Sequence, residues 1–144
     1  MPPDKRFPND PFEWLNRAKS NLERAKSDSR LTGVYLEDLC FDAQQAAEKS
    51  IKSVLIHLGI EFPYVHDITD LLTILEGKGH SISGEIREAG RLTRFAVETR
   101  YPGLSEPVTQ DEYKKAIAIA DIVVRWAEEI LKRNRNNEGA ETEQ

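Results

Sequence analysis

Residues 35–58, YLEDLCFDAQQAAEKSIKSVLIHL, followed by Gly59, decide the fold of this chain. Apolar side chains recur at Leu36, Leu39/Cys40, Ala43, Ala46/Ala47, Ile51, Val54/Leu55 and Leu58, the spacing of a buried helical stripe. Asp42, Gln45, Glu48, Lys49 and Lys52 fall on the opposite face, which reads as a salt-bridged surface. Glu48 precedes Lys52 by four residues, the favourable order for an ion pair on a helix. Gly59 ends the helix at a position where positive φ is cheap only for glycine.

Working outward, the same logic gives the other elements. Residues 1–9 hold three prolines and read as a flexible lead-in. Asp10-Pro11-Phe12-Glu13 opens a helix, with Asp as N-cap, Pro at N1 and Glu at N3. Its stripe is Trp14, Leu15, Ala18, Leu22 and Ala25. A short helix is expected from His66 or Asp67 to Glu76, with Ile68, Leu71, Leu72 and Leu75 inward. After the breaker Gly77-Lys78-Gly79, the spacing predicts one continuous helix over 83–100, burying Ile86, Ala89, Thr93, Phe95 and Ala96. Pro102 and Gly103 stop it. Thr109-Gln110-Asp111-Glu112 is a second capping box, opening a last helix to about residue 132. That helix carries Tyr113, Ile117, Ala120, Val124, Ala127 and Leu131, widened by Ile119, Val123, Trp126 and Ile130.

No segment alternates with period two, so the expected class is all-α: an antiparallel up-and-down four-helix bundle with one additional short helix. The bundle domain spans residues 10–133, and 134–144 read as a disordered acidic tail. The broad apolar surface of the final helix points to a homodimer.

Composition narrows the function classes. Charged residues are 31% and apolar ones 39% of 144, with a net charge of −5. The acidic balance argues against broad electrostatic binding of nucleic acid but allows a local basic patch. No apolar run approaches the length of a membrane span and the N-terminus lacks a secretory core, so no membrane and a cytoplasmic location are expected. Cys40 is the single cysteine and lies on the apolar stripe, the place of a small buried hydrophobe. No cofactor is expected: Gly77-Lys78-Gly79-His80 lacks the flanking strand and Lys-Ser/Thr ending of a phosphate loop. No metal is expected either, since HExxH and Glu-x-x-His pairs are missing from the sequence.

The order of these features resembles the HEPN family, the higher eukaryotes and prokaryotes nucleotide-binding domain. The residues that carry the resemblance are Gln45, Ala47, Glu48, Lys49, Lys52, His66, Asp67, Arg100, Tyr101 and Pro102, within residues 10–133. The resemblance implies an antiparallel helical bundle, usually a homodimer. Small prokaryotic members of the family are often encoded beside a minimal nucleotidyltransferase, as a two-protein system of toxin–antitoxin type. Many are metal-independent ribonucleases whose signature is an Arg followed, after four to six residues, by a His. Here Arg94 is followed after five residues by Arg100, and none of His57, His66 and His80 has an arginine at that distance upstream. An arginine cannot exchange a proton near neutral pH, yet it binds phosphate well.

Each candidate has two readings. Arg87, Arg91 and Arg94 fall at i, i+4 and i+7, either a phosphate-facing strip or a solvated, carboxylate-paired face. Arg100 continues the series Ile86, Ala89, Thr93, Ala96, and is either a ligand contact or a helix cap with a carboxylate partner. Tyr101 either stacks on a base or closes the bundle end. His66-Asp67 is either a reactive pair or a capping pair. The leading expectation is a nucleotide- or RNA-binding HEPN protein, or partner of a nucleotidyltransferase, without strong enzymatic activity, using His66, Asp67, Arg94, Arg100 and Tyr101. The alternatives are a ribonuclease in which His66 moves the proton, and a purely structural helical adaptor.

Overall fold

The computed structural model describes residues 9–27, 33–97, 103 and 106–143, with side chains as far as 133. The lead-in before residue 9, together with Arg100, Tyr101 and Pro102, lies outside the described residues. Among those described, every regular element is helical: α1 (Pro11–Ala25), α2 (Leu36–His57), α3 (Ile68–Gly77), α4 (Gly84–Arg87), a 3-10 turn (Glu88–Leu92), α5 (Arg94–Val97) and α6 (Gln110–Glu143). The architecture is an antiparallel up-and-down four-helix bundle in which α4, the 3-10 turn and α5 together make the third long member. The short α3 sits in the link before them.

Ends form where the sequence places them. Asp10 accepts from the Phe12 N–H at 3.0 Å, and Thr109 and Glu112 exchange both bonds of a capping box at 3.1 Å. Gly59 adopts φ 70°, and its neighbours close a Schellman turn in which the Ile60 N–H donates to the Leu55 carbonyl at 2.9 Å. α1 runs antiparallel to α2 and α6. Its Asn21 meets Asp42, and its Lys26 and Lys19 meet Asp121 and Glu128 of α6. α2 is central, with Cys40, Ala46, Ala47, Ile51 and Leu55 wholly buried.

The third member departs from expectation. Instead of one helix over 83–100, Ile86, Ala89, Leu92 and Phe95 are buried, a spacing of three, while Thr93 and Ala96 are only half-buried. Three residues per turn is the period of a 3-10 helix, and the tighter winding carries Leu92 inward in place of Thr93. Packing against α3 explains the change. The Ile68 N–H, an open donor at the start of α3, is taken by Thr93 Oγ1 at 3.1 Å. Gly90 lies so close to Thr69 that a Cβ there would collide with its hydroxyl. At the other end of the chain, the α6 backbone continues to Glu143, past the expected stop near residue 132 and into the stretch read as a disordered tail. The chain offers no proline there to stop it.

Candidate functional site

The polar face of α2 is not a surface. Asp42, Glu48 and Lys52 are 7%, 3% and 4% exposed, which corrects the solvated reading of that stripe. The cause is topological: α1, α6 and the link between α2 and α3 close around α2 and leave it little open side. Charges carried into such a position must be paired where they lie.

Glu48 is the hub. Its carboxylate accepts from Gln44 Nε2 at 2.9 Å and Lys52 Nζ at 3.0 Å, and His66 Nδ1 stands 3.2 Å away. Gln44 is oriented in turn by Gln45, whose amide donates to Gln44 Oε1 at 2.7 Å. The Lys52 ammonium also sits 5.5–5.9 Å from the centroids of Trp14, Phe62 and Tyr64, within cation–π range of three rings. One half of this cluster, the Glu48–Lys52 pair, is therefore buried and paired.

The other half faces water. The His66 side chain is 55% exposed, and Tyr64, 89% exposed, meets its ring edge-on at 5.6 Å between centroids. With Nδ1 committed to Glu48, Nε2 is the nitrogen left for a ligand or a proton. A buried carboxylate holding a half-exposed imidazole beside an exposed aromatic ring can stack a planar group, hydrogen-bond to it, or move a proton.

A second polar network lies along the same helix. Asp42 accepts from Asn21 at 3.0 Å and from Arg24 at 2.6 Å, and Lys49 donates to Asn21 Oδ1 at 2.8 Å. The hydrogen bond and charge of Asp42 raise the Arg24 pKa, whereas burial, with Arg17 and Arg24 nearby, lowers that of Lys49.

The expected site residues separate. Asp67 caps α3, accepting from the Thr69 N–H at 2.9 Å, while its neighbour His66 turns to Glu48. Arg94 is 3.0 Å from Glu112 on α6 and lies over the Phe95 ring at 5.1 Å. The Thr109 backbone N–H, and after it Arg94, hold the Glu112 carboxyl below its ordinary pKa. Arg87 engages Glu76 and Arg91 engages Glu88, so the three arginines hold three different carboxylates rather than forming one open strip. Burial pushes the Cys40 thiol up to about 12, the state of a packed rather than reactive cysteine. Sequence reasoning did not single out Gln44, Phe62 and Tyr64. Their signal was two aromatic residues bracketing Pro63 in a short connection.

A family model for the HEPN domain matches residues 12–130. The chain belongs to the HEPN family. The crystal structure of ST0689, an archaeal HEPN homologue, is similar to it with a TM-score of 0.66 at 28% identity, over 82% of this chain and 94% of that one. No curated protein matches the chain. Among the described residues of this HEPN domain, no group of three or more His, Cys, Asp or Glu is placed to hold a metal ion. No described helix is long and apolar enough to cross a membrane.

Proposed function

We propose that this HEPN domain binds a nucleotide or a single-stranded RNA segment at the face formed by Tyr64 and His66. The observation that carries the reading is the pairing of a largely exposed tyrosine with a half-exposed histidine whose Nδ1 is held by the buried Glu48. An unpaired base stacks on aromatic rings, at about 1–3 kcal/mol per base. The imidazole supplies a hydrogen bond or, when protonated, a charge for phosphate. Lys52 lies beneath, held by Glu48 and the rings, and positions the site rather than meeting the ligand.

The test is a melting-shift and equilibrium-binding panel of mononucleotides and short RNA with the wild type, Tyr64→Ala and His66→Ala. Both positions are exposed, so both variants should keep the wild-type fold. The expected outcome is selective binding by the wild type, weakened about tenfold or more in each variant. Equal affinity in all three proteins removes this face from consideration. In the same reading the domain acts in a two-protein system with a minimal nucleotidyltransferase, and co-purification with the product of an adjacent gene tests that role.

One contact favours a second reading, ribonuclease activity. Glu48 orients His66 as a carboxylate orients a general base, a role that Arg100 cannot fill in place of the usual motif histidine. Metal-free cleavage of mixed RNA that disappears in His66→Ala supports it. No cleavage at high protein concentration sinks it.

A further inference from the structure

We propose a second site, for a small amphipathic monoanion with an apolar ring or short chain and a single carboxylate head. It lies where the C-terminal ends of α2 and α3 meet the later half of α6. A cavity of about 400 Å³ opens there, sharing no lining residue with the Tyr64–His66 face. Leu58, Leu75, Ile82, Trp126 and Ile130 supply its apolar wall, and the exposed His80 and Arg133 also line it. Its size is that of a pocket for one small organic molecule.

The charge pattern identifies the head group. In this acidic chain Arg17, Arg24, Arg87, Arg91, Arg94 and Arg125 each hold a carboxylate. Arg133 has no such partner among the described residues, and no described Asp or Glu lines the cavity. A guanidinium beside an apolar wall, paired with no acid among the described residues, suits a planar carboxylate that it can grip through two parallel hydrogen bonds. His80 lines the same cavity, at a turn with a defined backbone. Gly79 at φ 94° closes α3 in a Schellman turn, and the His80 N–H donates to the Leu75 carbonyl at 3.1 Å. His80 thereby offers a second hydrogen-bonding side chain at the same cavity, while Trp126 offers a flat apolar surface for the ligand body.

The probe pair is 4-phenylbutyrate and its neutral amide, titrated into the full chain. Binding is followed by calorimetry and by amide and indole resonances. The expected result is saturable binding of the carboxylate, with shifts confined to the Trp126 indole N–H and the Ser81 and Ile82 amides. Arg133→Gln, at an exposed position and expected to melt as the wild type does, should weaken that binding about tenfold or more, the value of one charge-assisted contact. The amide should bind the wild type as weakly as the carboxylate binds the variant. Three results would each overturn the proposal: no shifts at millimolar carboxylate, equal affinity of wild type and Arg133→Gln, or equal affinity for acid and amide. None of them bears on the nucleotide-binding face, whose variants are tested separately.

Discussion

Lys52 concentrates the physics of this protein at the residue scale. Its i,i+4 relation to Glu48 was readable from the sequence, and the 3.0 Å contact realises it. Its burial was not readable, because a Glu–Lys pair four apart is the usual mark of a solvated helix face. Three rings from α1 and the link after α2 convert a surface pair into an interior one. The energetic consequence is sharp. Lys52→Met leaves the Glu48 carboxylate buried with its main cation gone, and should cost roughly 3–5 kcal/mol of unfolding free energy. Glu48→Gln combined with Lys52→Met removes both charges and should recover much of that loss. Urea unfolding of the two variants decides the matter: a double variant no more stable than Lys52→Met would show that the charges are not coupled.

At the scale of elements, the capping chemistry was legible. Asp10, Asp67, Thr109 with Glu112, and Gly59 all act where local rules put them, since a cap depends only on its own few residues. The stretch 84–97 was misread for the opposite reason. Its apolar residues satisfy both a 3.6 and a 3.0 period, and the choice between them is made by α3 through Thr93 and Gly90. Leu92 measures that choice. In a continuous α-helix with Ile86, Ala89 and Thr93 inward it would lie off the buried stripe, whereas in the 3-10 turn it is 1% exposed. Leu92→Ala should therefore destabilise the protein by about 2–5 kcal/mol in chemical denaturation, the cost of a core truncation. A loss within a few tenths of a kcal/mol would restore the continuous helix.

For the whole molecule, electrostatics tie the bundle together across its members. Glu112 is held below the ordinary carboxylate pKa by the Thr109 N–H and then Arg94, and Glu128 by Lys19 on α1. Because these folded-state values are depressed, the stability they contribute is complete above the unfolded value of about 4.5 and fades as pH falls through the lower folded value. The stability gap between wild type and Glu112→Gln should accordingly be present at pH 7 and shrink on acidification below 4.5. A gap that does not change with pH would mean that the Glu112 contacts act without their charge. The caps and the all-α class could be read from the chain alone, because hydrophobic period and end chemistry are local properties, and the ordered residues from Gln45 to Pro102 carried the family resemblance. The burial of the Glu48–Lys52 pair, the turning of His66 away from Asp67 and the pairing of Arg87, Arg91 and Arg94 with separate acids were decided only in three dimensions. Each depends on which residues from distant parts of the chain arrive at a given helix face, and no local pattern carries that information.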